Sequence, residues 1–167
     1  MHQYYLMTFT TAGLCDKNSS SADFQIAEPI FKAFGTKLFF SGQISTVKVY
    51  EDNVLIREIL EKIVSHRILV IDGGGSQRCA LIGENLANTA YQNGWQGIII
   101  YGCIRNSDAI NQLPIGIRAL HTHPLKSHKK GTGELDNTCV FAGVHFKTDH
   151  YLYADNDGII VSQNPLT

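Results

Sequence analysis

The clearest pattern along the chain is a pair of continuous apolar runs with a helix-like segment between them. Residues 67–72 contain Ile-Leu-Val-Ile and residues 97–101 contain three successive isoleucines, which is typical of strands buried on both faces. Residues 84–93 have the length of a helix and finish at Asn93-Gly94, a common helix end. Strands and helices that alternate at this spacing favour an α/β core.

Weaker patterns predict the elements around this core. Alternating polar and apolar residues at 39–50 indicate a strand. Residues 54–64 carry an apolar stripe that includes Ile63, and Asn53 is placed to cap the start of that helix. The other predicted elements are short strands at 79–82, 116–123, 138–146, 151–154 and 158–161, a short helix at 108–112 and a tight turn at 156–158.

The segment before residue 39 yields two predictions. Residues 28–34 are predicted to form a short helix, because Pro29 is tolerated in a first helical turn and Gly35 follows the end. Residues 18–21, Asn-Ser-Ser-Ser, are predicted to form a surface loop before the first helix.

Length and charge limit the possible classes of protein. The 167 residues fit a single domain, residues 1–167, with 44% hydrophobic residues and an ordinary globular composition. Lys and Arg number 14 against 15 Asp and Glu, so the net charge is −1. Nucleic-acid binding normally needs a basic surface, so we expect no direct contact with nucleic acid. A protein partner or a small anion in a local pocket is compatible with this balance.

Cysteine spacing and the first residues bear on the compartment. The cysteines form no CxxC pair and match neither a zinc site nor a disulfide framework, so reduced thiols are expected. Residues 1–13 lack the cationic and apolar regions of a secretory signal, and no apolar stretch is long enough to span a membrane. We therefore expect a cytoplasmic protein. The cysteines are Cys15, Cys79, Cys103 and Cys139.

Two segments together predict an anion pocket. Residues 83–86, Gly-Glu-Asn-Leu, begin a helix, and the first turn of a helix has unpaired N–H groups that attract a carboxylate. Arg105 follows the carboxyl end of a predicted parallel strand, where α/β folds place ligands, and its guanidinium suits an oxyanion. A plain helix start and a solvated arginine are the alternatives.

A metal site is predicted only weakly. A carboxylate at position 106 would hold a metal, whereas the amide of Asn106 holds one poorly. Asp108 could partly replace it, or could simply start the helix at 108–112. His121 and His123 could share one face of a strand and bind a metal with His128, although a polar strand end is the more common outcome.

Two other motifs favour structural interpretations. Residues 73–76, Gly-Gly-Gly-Ser, follow a buried strand, but Arg78 occupies the place of the third glycine of a dinucleotide fingerprint and no GKS or GKT follows. The glycines therefore predict a tight reversal into the strand at 79–82, or a close contact between subunits. Residues 126–130 form a short basic run, which is predicted to be a solvated loop.

Seven segments, taken in order, resemble the family that contains the regulators of ribonuclease activity A and the related metal-dependent pyruvate aldolases. The resemblance implies a layered β/β/α fold of the swivelling-domain type, and a homotrimer with pockets between subunits that could pair into a hexamer. The segments are 14–16, 47–53, 70–76, 94–97, 101–105, 153–156 and 158–160.

The resemblance also implies a chemistry for the pocket. In the aldolase branch, 4-hydroxy-4-methyl-2-oxoglutarate is cleaved to pyruvate and oxaloacetate is decarboxylated, both through a pyruvate enolate stabilised by Mg²⁺ or Mn²⁺. By position, Gly83, Glu84, Asn85 and Leu86 would supply amides to pyruvate-like 2-oxo acids. Arg105 would be the catalytic residue that neutralises the enolate.

Position 106 divides the branches of the family. The resemblance implies an aspartate directly after the arginine in the aldolases, whereas this chain has Asn106, a neutral ligand. We therefore expect a regulator that binds and inhibits ribonuclease E without a cofactor. The alternative is a weak aldolase or oxaloacetate decarboxylase whose metal would be held by Asn106 and possibly Asp108, and the third is a small-anion binding protein.

Overall fold

The computed structural model describes residues 8–166, so the first seven residues of the segment predicted not to be a secretory signal lie outside the described residues. Within this part of the chain, strands separate the four helices. The helices are α1 (Thr11–Asn18), α2 (Val54–Leu60), α3 (Glu84–Gln92) and α4 (Ser107–Ile110). The strands are β1 (Gln25–Ile26), β2 (Lys32–Phe34), β3 (Phe40–Lys48), β4 (Arg67–Asp72), β5 (Ala80–Ile82), β6 (Trp95–Ile104), β7 (Gly116–Thr122), β8 (Glu134–Leu135), β9 (Cys139–Phe141), β10 (Val144–Phe146), β11 (Tyr151–Ala154) and β12 (Ile159–Ser162).

One large sheet organises the fold. Its strands follow the order β1-β12-β11-β3-β4-β6-β7-β2, with β5 beside β6 and β8 beside β3. Strands β3, β4, β6 and β7 run parallel to one another, and β5 runs parallel to β6. Strands β9 and β10 form a separate antiparallel hairpin. Consequently the carboxyl ends of β5 and β6 emerge side by side at one edge of the parallel region.

Alternation along the central strands produces a β/β/α arrangement of three layers. On β4, Leu69 and Ile71 join the apolar cluster that includes the buried side chains of α2, α3 and α4. Ile68 and Val70, between them in sequence, join a second cluster that includes Phe146 of the β9–β10 hairpin. Both sets are fully buried, which accounts for the uninterrupted apolar run at 67–72. The predicted α/β class is confirmed as a mixed α/β fold.

The helix predicted at residues 28–34 is wrong. Residues 32–34 form β2, which pairs antiparallel with β7 so that Phe34 lies opposite Ile117. Pro29 and Gly35 are compatible with helix ends, but seven residues are too few to form a stable helix without a packed face. The edge of β7 instead offers backbone partners to residues 32–34 and a buried position to Phe34.

The first helix and the end of the second also differ from the predictions. Helix α1 was not predicted, and the loop at 18–21 follows it instead of preceding the first helix. Helix α2 ends at Leu60 instead of continuing to residue 64, so Ile63 lies outside the apolar stripe and is 87% exposed. Asn53 holds the N-cap position but its side chain donates to Leu81 O at 3.1 Å instead of capping the helix.

The single strand predicted at 138–146 is two strands joined by a tight turn. Ala142 and Gly143 both have positive φ, 51° and 71°, which is the geometry of a two-residue turn between twisted strands. The turn predicted at 156–158 is confirmed between β11 and β12, where Asp155 N donates to Gly158 O at 3.1 Å.

The four cysteines are free, as predicted. Burial raises the pKa of Cys139 to about 11, so this side chain remains a thiol at neutral pH. Within residues 8–166, every helix is too short or too polar to cross a membrane.

Candidate functional site

The sequence-predicted anion pocket lies where β5 and β6 end. Gly83 follows β5 and begins α3, while Arg105 follows β6 and donates its backbone N–H to Ile82 O at 2.9 Å. This bond continues the pairing of the two strands for one residue beyond the end of β6. A cavity of about 140 Å³ opens at this junction, and Gly83, Glu84, Asn85, Leu86, Arg105 and Asn106 all contribute to its lining.

The first turn of α3 presents unpaired amides to the cavity. The first intrahelical bond runs from Ala87 N to Gly83 O at 3.1 Å. The N–H groups of Glu84, Asn85 and Leu86 therefore precede the hydrogen-bonded part of the helix, and none of the described residues accepts from them. The Leu86 side chain is buried in the core, so its contribution to the cavity is its backbone. Helix N-termini of this kind favour an anion.

Gly83 keeps the space between this helix and Arg105 open. Its backbone is extended, with φ −116° and ψ −169°, so any residue could adopt the conformation. A Cβ placed on Gly83 would lie 3.5 Å from Arg105 Cγ, 3.6 Å from Arg105 Nε and 3.8 Å from Asn106 Nδ2. The missing side chain thus leaves room for a ligand atom that faces the guanidinium and the amide at once.

Arg105 has no strong partner of its own in the described structure. Its Nη1 donates to Pro124 O at a long 3.5 Å. None of the carboxylates among residues 8–166 forms an ion pair with it. A half-buried guanidinium with free donor positions is well suited to bind a carboxylate through two hydrogen bonds.

Asn106 occupies a left-handed position that limits which residues fit there. Its φ and ψ are 54° and 45°, a conformation that asparagine, aspartate and glycine tolerate better than other residues. Its carbonyl accepts from Ile110 N at 3.0 Å, so Asn106 is the N-cap of α4, although its side chain makes no capping bond. Asp108 lies in the first turn of that helix and is not among the residues that line the cavity.

The cavity also contains side chains that sequence reasoning missed. Asn53 and Arg57 come from α2 and its N-cap, and Lys126 and Lys129 come from the basic run that was predicted to be a solvated loop. Both lysines are exposed, as predicted, but they also face the cavity. In the sequence, these two lysines are marked only by the basic run at 126–130. That run does not show that it lies near Arg105 in the fold.

Charge in the cavity is strongly asymmetric. Four lining side chains are cationic, and Glu84 is the single acidic one. Added to the N-terminal amides of α3, this excess of positive charge favours a ligand that carries at least one carboxylate. The local excess contrasts with the net charge of −1 on the whole chain.

The donor set does not fit a resident Mg²⁺ or Mn²⁺ ion. These hard cations favour anionic oxygen ligands, and the cavity offers one carboxylate, Glu84, among four cations. Asn106 contributes only a neutral amide to the lining. Across residues 8–166, His, Cys, Asp and Glu side chains form no group of three or more that could hold a metal ion.

His123 and the glycine run make structural contacts. His123 follows the end of β7, and its Nδ1 accepts from Leu125 N at 3.1 Å. The tight reversal predicted for the glycine run is wrong, because β4 and β5 both run parallel to β6 and therefore point the same way. Gly74 and Gly75, with φ of 67° and 72°, form a turn between the two strands instead. Gly74 N donates to Asp72 Oδ1 at 2.9 Å, and the run does not line the cavity.

Comparisons with known proteins agree on the family and differ on activity. A family model described as "RraA-like: Aldolase/RraA" matches residues 11–161. A protein of Methylococcus capsulatus named "Putative 4-hydroxy-4-methyl-2-oxoglutarate aldolase" is 60% identical over 160 residues, which are 96% of this chain and 99% of that protein.

Two solved structures superpose on the fold with a TM-score of 0.91 each. The structure of the RNA-processing inhibitor RraA from Thermus thermophilis is 37% identical, with 96% of each chain covered. The structure of S-adenosylmethionine: 2-dimethylmenaquinone methyltransferase from Geobacillus kaustophilus HTA426 is 45% identical and covers 94% of this chain and 96% of its own. The names of the relatives therefore do not choose one activity for this chain.

Proposed function

The chain belongs to the RraA-like family, and from this membership we propose that it is a regulator of ribonuclease activity A. In this role it binds the endoribonuclease ribonuclease E and inhibits it, and so modulates RNA turnover in the cytoplasm. It acts through protein contacts and needs no cofactor. A TM-score of 0.91 to a structure described as an RNA-processing inhibitor supports this choice.

The observation that carries the proposal is the chemistry at position 106. Metal-assisted enolate formation needs a cation next to the 2-oxo acid, and Asn106 offers a neutral amide where the family resemblance implies a carboxylate in the aldolases. The cavity supplies no second carboxylate to compensate, since Asp108 lies outside its lining. A chain with this fold and a neutral side chain at position 106 is better explained by a function of its protein surface.

We propose a homotrimer as the assembled form, with a hexamer of two trimers as the larger alternative. Exposed apolar side chains support self-association, because a monomer would leave them in water. Leu38 and Tyr91 are 50% and 45% exposed, and they line a mainly apolar cavity of about 420 Å³ together with Pro114. Light scattering on the purified protein would measure the assembly.

The second candidate is a 4-hydroxy-4-methyl-2-oxoglutarate aldolase with oxaloacetate decarboxylase side activity. The cationic cavity favours it, and so do the names of relatives such as the protein from Methylococcus capsulatus. In this role Gly83, Glu84, Asn85 and Leu86 bind a pyruvate-like 2-oxo acid through their amides, and Arg105 stabilises negative charge as it develops on the substrate. Mg²⁺ or Mn²⁺ would have to be added, and the residues present hold it poorly.

One set of assays separates the two candidates. Binding to ribonuclease E is measured by titration calorimetry for the wild type and for Arg105→Ala, and pyruvate release is measured with Mg²⁺ or Mn²⁺ for the wild type and for Asn106→Asp. If the chain is the regulator, wild type and Arg105→Ala should both bind ribonuclease E at micromolar concentrations. Only Asn106→Asp should then release pyruvate. The left-handed backbone at 106 accepts aspartate, so Asn106→Asp should fold normally.

Absence of a complex at micromolar concentrations would end the regulator proposal. Metal-dependent pyruvate release by the wild type, lost with EDTA and with Arg105→Ala, would establish the aldolase in its place.

A further inference from the structure

The segment between β7 and β8 carries two of the four cationic side chains of the pocket but has little regular structure. It runs from residue 123 to residue 133, and most of its residues are exposed. Ala80 N donates to Leu125 O, and His128 N donates to Glu51 O, each at 2.8 Å. These bonds place the first half of the segment beside β5 and the start of α2.

A buried carboxylate holds the second half of the segment. Asp52 is 1% exposed, and its Oδ1 accepts from Val54 N at 3.1 Å in the first turn of α2. Its Oδ2 accepts from three successive backbone N–H groups, those of Lys130, Gly131 and Thr132, at 2.8, 2.9 and 3.4 Å. The Thr132 hydroxyl also donates to Oδ2, at 3.3 Å. One side chain therefore ties this segment to the start of α2.

This carboxylate is kept ionised by the contacts it makes. Burial alone would raise the pKa of Asp52, but the backbone N–H groups of Val54, Thr132, Lys130 and Gly131 lower it below its ordinary value. An ionised carboxylate satisfies several N–H donors at once. No neutral side chain of the same size offers as many acceptor positions in this place.

The position of the segment decides where the two lysines lie. Lys126 and Lys129 line the cavity, and Lys129 Nζ donates to Asn53 Oδ1 at 3.5 Å. Asn53 directly follows Asp52 and is itself fixed by its bond to Leu81 O. If the carboxylate were lost, the N–H groups of residues 130–132 would lose their acceptor, and the largely exposed segment would keep only its backbone bonds at Leu125 and His128.

We propose that Asp52 is a positioning residue of the anion pocket: it fixes segment 126–132 so that Lys126 and Lys129 complete the cationic lining. Asp52 itself does not line the cavity, so it acts on the ligand only through the two lysines. This proposal rests on the proposed role of the cavity as a site for carboxylates. It does not depend on whether the chain is a regulator or an aldolase.

The test measures oxalate binding to the full chain by titration calorimetry at low and high salt. Asp52→Asn is expected to weaken binding about threefold to tenfold at low salt and to reduce its salt dependence, because two partly screened charges move away from the ligand. In a Lys126→Ala/Lys129→Ala background, Asp52→Asn is expected to have no further effect. An equal loss in both backgrounds, or none in either, would overturn the proposal.

Asp155→Asn is the matched control for general loss of stability. Asp155 accepts from Thr11 N at 2.7 Å and from the Thr11 hydroxyl at 2.6 Å, so it also ties a distant segment to the fold, but it lies outside the cavity lining. Its replacement should lower the melting temperature without a change in oxalate affinity. A loss of affinity equal to that of Asp52→Asn would mean that the effect is one of stability, against the proposal.

Gly131→Ala reaches the same segment if Asp52→Asn fails to fold. Gly131 has φ of 81°, and an added Cβ would meet only Val54 Cγ1, at 3.7 Å, so the change strains the backbone without a steric clash. A weaker oxalate affinity that again vanishes in the double-lysine background is expected. Unchanged affinity would count against the proposal. No oxalate binding by the wild type would instead refute the proposed pocket, which distinguishes the two failures.

Discussion

Gly83→Ala should separate binding from folding in this protein. The extended backbone at Gly83 places no conformational strain on alanine. The new Cβ would make ordinary van der Waals contacts, 3.5 Å and 3.6 Å from Arg105 atoms. Replacing Gly by Ala at an N-cap destabilises the folded state by roughly 1 kcal/mol. The unfolded chain of the variant is less flexible, which stabilises the folded state by about 0.4–1 kcal/mol. The free energy of unfolding should therefore change by less than about 1 kcal/mol.

The affinity of Gly83→Ala for a carboxylate ligand should fall much more than its stability. A ligand oxygen that accepts from the Arg105 guanidinium needs about 2.9 Å to the nitrogen, and a methyl group 3.6 Å from Nε occupies the neighbouring space. The ligand must give up one charge-assisted hydrogen bond, which costs about 1.5–3 kcal/mol, or roughly tenfold to a hundredfold in affinity.

The assay for Gly83→Ala pairs oxalate calorimetry with urea unfolding. Gly158→Ala is the control, since a Cβ there would meet nothing within 4 Å. Wild-type affinity in Gly83→Ala would refute the assigned pocket. A loss of stability well beyond that of Gly158→Ala would refute the geometry around Gly83.

Three further predictions follow from side chains with distinct tasks. Arg105→Ala should weaken oxalate binding about tenfold to a hundredfold in calorimetry but leave the melting temperature unchanged, because the guanidinium makes one bond, a long one to a backbone carbonyl. Burial opposes ionisation of Asp155, but hydrogen bonds led by those from Thr11 lower its pKa below the ordinary 3.8. Its contribution to stability is therefore complete above that value and is lost as the pH falls through the folded-state pKa. In urea unfolding, the difference in stability between wild type and Asp155→Asn should be constant above about pH 5 and shrink below about pH 4. Gly97→Ala should destabilise the fold by roughly 1–3 kcal/mol in urea, since its Cβ would lie 2.4 Å from the buried Phe40 ring, and a neutral result would mean that the ring can move.

Most of the central fold could be predicted because its signals are local. The strand at 67–72 has the predicted bounds, since a strand buried on both faces must be apolar at every position. The strand at 151–154 also has its predicted bounds. The predictions fail where the structure of a segment depends on its packing partner. Residues 32–34 become a strand only because the edge of β7 is available to them, and α2 stops at Leu60 although the apolar spacing continues to Ile63.

The candidate site divides along the same line. Residues 83–86 and Arg105 could be selected from the sequence, because a helix start and a strand end are local features with known chemistry. Arg57, Lys126 and Lys129 could not, because their place in the lining depends on how distant segments pack. The role of Asp52 could not be predicted either, because its carboxylate accepts from N–H groups far along the chain. Lys130, the first of these donors, is 78 residues away in sequence.

The burial of the central strands and the neutral side chain at position 106 could be read from the amino-acid sequence, because apolar periodicity and side-chain type are properties of single residues and their near neighbours. Tertiary packing sets the order of the strands, brings the ends of β5 and β6 together, and places four cations around one cavity. Those features depend on pairing and packing between residues far apart in the chain. Such contacts form only when the whole sheet assembles, so they cannot be predicted from a local sequence pattern.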